Sequence, residues 1–167
     1  MSDVLVLNTG GTFNKRYDPI KGELFVPQDN HAVEAIVAEF HGNLSCRIQG
    51  LLYKDSLEMN EQDRAVMTQA ILDADETRVL VVHGTDTMHL SAACLAQACP
   101  AKRIVLTGAM LPYALGAQEA VTNFALSLGW LLAGYAPGVC IGMHGLVLPH
   151  AQIVKDRQNG VFRAVSG

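Results

Sequence analysis

The stretch "DVLVLNTGGTF" (residues 3–13) sets an unbroken apolar run, Val4 to Leu7, directly ahead of two glycines bracketed by threonines. A strand of a parallel sheet is covered on both faces, so it reads as a continuous run of branched apolar residues rather than an alternation. The same pattern returns in "LSCRIQGLLY" (44–53), "TRVLVVHG" (77–84) and "KRIVLTGAM" (102–110), and "GVCIGMHGLVL" (138–148) brings at least one more strand. Helical spacing fills the intervals. "DNHAVEAIVAEF" (29–40) places Val33, Ile36, Val37 and Phe40 on one face behind a cap at Asp29 or Asn30. "NEQDRAVMTQAILDAD" (60–75) is capped by Asn60, with acidic Glu61 and Asp63 in its first turn. "TMHLSAACLAQA" (87–98) and "QEAVTNFALSLGWLLAG" (118–134) complete the series. Strand and helix in alternation predict an α/β fold: a mostly parallel sheet with helices on both faces, a Rossmann-like or flavodoxin-like three-layer sandwich.

At 167 residues the chain is expected to form a single domain spanning residues 1–167. Half of it is hydrophobic and 17% charged, a composition that fills a core and excludes disorder. The formal charge of −4 comes with no Lys/Arg block, which argues against a nucleic-acid surface. The longest apolar stretch, 124–142, is broken by Ser127, Gly129, Gly134, Pro137 and Gly138, so no membrane span is expected. No charged segment followed by an apolar one marks a secretory signal, and a cytoplasmic location is expected. Cys46, Cys94, Cys99 and Cys140 show no paired spacing and read as core thiols. Residues 13–30, polar with turn signals at Asp18–Pro19 and Gly22, read as a long mobile loop holding a small hairpin.

Ligands of an open α/β sheet sit beyond the carboxyl ends of its strands. That rule gathers four segments at one edge: "TGGTF" (9–13), "KDSLEMN" (54–60), "HGTDTM" (83–88) and "TGAMLP" (107–112). All carry hydroxyls and three carry glycine. Neither a Walker A pattern nor G-x-G-x-x-G follows the first strand, and no G-x-S-x-G occurs. His83 and His89 lie six apart across a strand–helix junction, which suits no common metal spacing, so both read as structural. Glu119 and Asn123, one turn apart, read as structural polar contacts, and Leu128, Leu131 and Leu132 as core or subunit interface.

The two threonine turns, "TGGTF" and "HGTDTM", resemble the signature motifs of the bacterial-type L-asparaginases. "DSLEMN" (55–60) is similar to the substrate loop of that family, "GAMLPY…N" (Gly108 to Asn123) to its "GAMRP…N" segment, and "HAQIVKDRQNGVF" (150–162) to its lysine-bearing stretch. The resemblance covers nearly the whole chain. It implies hydrolysis of L-asparagine to L-aspartate and ammonia through an acyl-enzyme on a threonine, with no cofactor and no metal. Thr12 is then the first nucleophile, Thr85, Asp86 and Lys155 form a second cluster, and Tyr17 is the loop tyrosine. Ser56 holds the substrate carboxylate, Asp86 also faces the substrate amine, and Gly11 and Gly84 let backbone amides approach the amide oxygen. A lysine accepts a proton only when neutral, so burial is expected to depress the pKa of Lys155 while Asp86 opposes this. Leu57 departs from the family, which usually carries a polar residue there, and one substrate contact goes with it. The family's usual chain is about twice as long. A short form without the second domain, associating as a homo-oligomer (dimer or tetramer), is therefore expected. Two rival readings share these residues: a non-catalytic domain that binds asparagine or aspartate, and an amidase subunit of tRNA-dependent amide transfer, which the acidic pI of about 5.8 disfavours.

Overall fold

The computed structural model describes residues 2–166. In chain order these form β1 (Val4–Gly10), a hairpin of β2 (Arg16–Asp18) and β3 (Glu23–Phe25), α1 (His31–Ala38) and β4 (Cys46–Lys54). There follow α2 (Glu61–Leu72), β5 (Arg78–Val82), α3 (Met88–Ala98), β6 (Arg103–Thr107) and α4 (Ala117–Leu132). The chain then adds β7 (Gly138–Met143), β8 (Leu146–Pro149) and a second hairpin of β9 (Ile153–Asp156) and β10 (Val161–Ala164). The central sheet runs β4-β1-β5-β6-β7-β8. Its first five strands are parallel, and β8 returns antiparallel to β7. The expected α/β architecture is therefore the one observed. The apolar run at 138–148 resolves into two strands, because His144 (φ 52) and Gly145 (φ 85) turn the backbone back on itself.

Strand β1 is an interior strand of the sheet, and its Val4, Leu5, Val6 and Leu7 are all fully buried. Leu5 and Leu7 point into a core with Met67 and Ile71 of α2 and Met88, Ala92 and Leu95 of α3. Val4 and Val6 point the other way, toward Val33 and Ile36 of α1 and Phe124, Leu128 and Leu131 of α4. Two helices on each face explain why the strand shows no polar alternation. Leu132 falls off the α4 core stripe and remains exposed, as does Leu126. All four cysteines are free, with Cys99 and Cys140 buried and Cys46 and Cys94 half-buried. Helix α2 begins with a reciprocal capping box: the Asn60 side chain accepts from Asp63 N–H, and the Asp63 carboxylate accepts from Asn60 N–H.

The parallel strands follow the 2-1-3-4-5 order, in which the chain turns left from the first strand and right from the third. The crevice at that switch lies between the carboxyl ends of β1 and β5. Near the other end of the sheet, Arg47 of β4 reaches across β1 to Glu76, just before β5. Arg47 donates from Nε to Glu76 Oε1 at 2.7 Å and from a terminal nitrogen to Oε2 at 2.8 Å. This fork holds the buried Glu76 carboxyl down at about 2, against the opposing effect of burial.

A depressed folded-state pKa stabilises the fold above the unfolded value of 4.5, and the gain is lost as pH falls toward about 2. Glu76→Gln is therefore expected to lower the urea midpoint at pH 7, and to close the gap to the wild type progressively between pH 4.5 and 2.

Candidate active site

Beyond the carboxyl end of β1 the chain turns through Gly10 and Gly11, both with positive φ (107 and 75). A Cβ on Gly11 would lie 2.5 Å from the Cα and N of Gly84, and one on Gly84 would lie 2.7 Å from Ser56 Cβ. A Cβ on Gly10 would meet the backbone of Lys54 at 2.6 Å. The turns after β1, β4 and β5 thus touch backbone to backbone, and only glycine permits it. Thr12 follows Gly11 and Thr85 follows Gly84, so the two threonine turns are adjacent. Thr12 opens a short turn, Thr12–Asn14, that a buried amide pair secures. Asn8 and Asn14 exchange side-chain hydrogen bonds of 2.9 and 2.8 Å, and Asn14 Nδ2 also donates to Gly10 O.

The end of β4 is bent into place by Leu52 and Tyr53, two consecutive non-glycine residues with positive φ (68 and 50). Its register with β1 shifts between Asn8 and Gly10, which marks a bulge. Tyr53 folds back over Gly50, where any Cβ would overlap its ring. Strained backbone of this kind costs about 1–3 kcal/mol per residue and needs support from its surroundings. The result is that Ser56, fully buried, sits beneath the β5 turn. Its hydroxyl oxygen accepts from Asp86 N–H at 3.0 Å and Thr87 N–H at 3.3 Å, and Thr87 Oγ1 donates to Ser56 O.

Lys155 arrives on β9. Its Nζ donates to Thr85 Oγ1 and to Asp86 Oδ1, both at 2.8 Å. Of the residues singled out in the sequence, Thr85, Asp86 and Lys155 are in direct contact, Ser56 braces their turn, and Gly11 and Gly84 touch. Thr12 Oγ1 makes no hydrogen bond with the protein among the described residues. Tyr17 lies on the β2–β3 hairpin with 55% of its surface exposed, and no hydrogen bond joins it to the others. The expected hairpin within 13–30 is thus present.

Several residues at this site escaped the sequence reading. Arg157 donates to Asp86 Oδ1 at 2.6 Å and to Asp86 O at 2.7 Å. The Asp86 carboxyl is held below its ordinary range by the hydrogen bond from Lys155, against desolvation, with Arg157 adding to the effect. Lys15 pairs with Asp55 at 2.8 Å. The β9–β10 hairpin, unforeseen as an element, is pinned by His144, whose Nδ1 accepts from Phe162 N–H and whose Nε2 faces Glu119 Oε1 at 2.9 Å. Phe162 is buried in the core and sits opposite Lys155 in the hairpin register. Glu119 also accepts from Met110 and Leu111 N–H, so it and Asn123 are the structural contacts expected of them.

His83 is structural as well. Nδ1 lies 2.7 Å from Gly84 O, which can only accept, so Nδ1 carries the proton and Nε2 accepts from Ser91 Oγ. Complete burial pushes this imidazole down to about 4. No group of three or more metal-binding side chains occurs among the described residues. No described helix is long and apolar enough to cross a membrane.

The family model for the N-terminal part of asparaginase matches residues 3–164. Comparison with curated proteins gave no match. Among solved structures, the thermostable L-asparaginase from Thermococcus kodakarensis superposes with a TM-score of 0.83 at 22% identity, over 97% of this chain and 51% of that one. A probable cytoplasmic L-asparaginase from Campylobacter jejuni gives 0.81 at 21% identity, over 98% and 53%. L-asparaginase I from Vibrio cholerae gives 0.78 at 19%, over 98% and 51%. The chain spans about half the length of the solved structures it matches, and at these identities the likeness is one of fold.

The glycine contacts make a quantitative expectation. Gly11→Ala adds a methyl against the Gly84 backbone and is expected to cost more than about 2 kcal/mol in urea unfolding. Gly22→Ala has the same backbone penalty (φ 70), but its Cβ would meet only Tyr17 Oη, at 4.0 Å, so the expected cost is about 1 kcal/mol. Equal losses for the two would show that the turns do not depend on close contact.

Proposed function

The chain belongs to the asparaginase family, and on that premise we propose that it hydrolyses the side-chain amide of L-asparagine, giving L-aspartate and ammonia. The observation that carries this reading is Lys155 Nζ, held at 2.8 Å from both Thr85 Oγ1 and Asp86 Oδ1, at a turn that touches the one bearing Thr12.

In this reading Thr12 Oγ1 attacks the amide carbon. A threonine hydroxyl is a weak nucleophile until a neighbour takes its proton, and Lys155, reached through Thr85, is the acceptor in this reading. The C–N bond then breaks, the nitrogen takes up a proton and leaves as ammonia, and a threonine ester remains. Water cleaves the ester with the same pair as base. The developing oxyanion needs donors already in place. Gly11 N–H is engaged by Lys54 O at 2.9 Å. The N–H groups of Thr12 and Thr85 donate to no protein acceptor among the described residues, which suits them to that task. Ser56 contributes indirectly in the absence of ligand, by fixing the Asp86–Thr87 backbone.

Action in the cytoplasm and assembly into a dimer or tetramer belong to the same proposal. The exposed Leu126, Leu132 and Tyr135 offer apolar surface for association, which sedimentation velocity would measure.

Purified protein is expected to release ammonia from L-asparagine, and Thr12→Ala to reduce the rate by about 10³-fold or more with its circular dichroism unchanged. Absence of release from the wild type, with L-aspartate still raising the melting temperature, would replace this reading with that of a domain that binds without turnover.

A further inference from the structure

A two-stranded hairpin of four-residue strands holds no fixed shape of its own in water, so the place of Lys155 is set from outside β9 and β10. Burial of Phe162 draws the hairpin onto the core, in the cluster that includes Ile141 and Met143 of β7. Apolar burial has no direction and tolerates sliding, whereas a hydrogen bond fixes both distance and angle. Away from the threonine turns, one hydrogen bond ties the two hairpin strands to the rest of the chain among the described residues: Phe162 N–H donates to His144 Nδ1 at 3.1 Å. Phe162 lies directly opposite Lys155. Its N–H is given to His144 rather than to β9, and pairs of that kind bring their side chains closest together. The bond to His144 therefore acts on the very residue pair that carries Lys155 Nζ to Thr85 Oγ1 and Asp86 Oδ1, both at 2.8 Å.

His144 is itself held from α4. It occupies the β7–β8 turn with φ 52. Its backbone N–H donates to Asn123 Oδ1 at 3.0 Å, and Nε2 lies 2.9 Å from Glu119 Oε1. Nδ1 accepts from an N–H, so the ring proton sits on Nε2 and is donated to the carboxylate. The ring also stands edge-on to Phe162, with centroids 5.9 Å apart and planes at 74°. The same carboxylate accepts from Met110 and Leu111 N–H. The loop after β6, which had no part in the chemistry above, thus shares an anchor with the hairpin.

We propose that His144 is a positioning residue for the reaction: with Glu119 fixing its tautomer, it sets where the β9–β10 hairpin docks and so the distance from Lys155 Nζ to Thr85 Oγ1. The proposal rests on the amidohydrolase reading, in which Lys155 takes the proton of Thr12 through Thr85. A displacement of about 1 Å at such a group costs on the order of 10²-fold in rate. The Asp86 backbone stays fixed by Ser56, so the loss falls on kcat rather than KM.

Two substitutions separate the ring from the backbone that carries it. His144→Gly removes the acceptor and takes up φ 52 without strain. His144→Asn restores an acceptor, since Oδ1 stands as many bonds from Cα as Nδ1 does, and asparagine tolerates left-handed backbone. With L-asparagine, His144→Gly is expected to lower kcat about 10- to 100-fold with KM within about threefold of the wild type, and His144→Asn to recover kcat to within about fivefold. Amide hydrogen exchange of the intact protein is expected to quicken in His144→Gly at residues 153–164 and to stay unchanged in β1 and β5. An unchanged kcat in His144→Gly, a KM that rises while kcat holds, an Asn variant as slow as the Gly variant, or exchange that quickens equally in β1 and β5 would overturn the proposal. If the wild type releases no ammonia, the hydrolytic reading fails by itself. The exchange comparison alone then decides whether His144 sets the hairpin: quickening confined to 153–164 upholds it, and none overturns it.

Discussion

Contact between backbones at one edge of the sheet is the condition that the rest of the site depends on. Gly11 lies against Gly84, Gly84 against Ser56, and Gly10 against Lys54, each closer than a Cβ would permit. Three turns from distant parts of the chain are thereby stacked at the crevice between β1 and β5. Because the contact is made by main chain, its geometry is inherited from the sheet rather than from adjustable side chains. The polar groups near it serve the same end. The Asn8–Asn14 pair closes the first turn, Ser56 accepts two N–H groups of the third, and His83 clamps Gly84 O. Buried polar groups are costly unless paired, and here each pairing also fixes the position of a turn.

The parallel sheet can be read from the chain because both faces are covered, so every central strand appears as an apolar run that stops at a polar or glycine turn. The Asn60 cap of α2 was legible for a local reason: Asn60 directly precedes the helix, and Glu61 and Asp63 fall in its first turn. Elements built from contacts distant in sequence were not. The strands of the β9–β10 hairpin are four residues each, too short for alternation to register. Its anchor, His144, lies eighteen positions from Phe162. The bulge at Leu52–Tyr53 sits inside what reads as ordinary strand, and the glycine that permits it, Gly50, looks like an interruption. Likewise Thr12, Thr85, Asp86 and Lys155 were named through resemblance, whereas Arg157 carried no signal. An exposed arginine seventy-one residues from Asp86 is indistinguishable in sequence from a solvated one.

Electrostatically the site is a row of cations and carboxylates in alternation, with Asp86 shared. Lys155 and Arg157 meet the same oxygen, so removing either would leave the other as sole partner. Burial differs between them: Lys155 is the more enclosed, Arg157 the more solvated. The first interaction is thus the less screened by salt and the second the more adjustable.

The hairpin that delivers Lys155 has a consequence for the order of events during synthesis. Lys155 lies seventy residues after Thr85 and depends on Phe162, later still, for its anchoring to His144. At ribosomal rates of about 5–20 residues per second, the nascent chain holds both threonine turns for roughly 4–14 s before the lysine emerges. Through that interval β1, β4 and β5 can pair and the glycine contacts can close, while Thr85 and Asp86 still lack their cation. The contact of Lys155 with Thr85 and Asp86 is therefore a late property of this fold, made when a short hairpin docks onto the sheet.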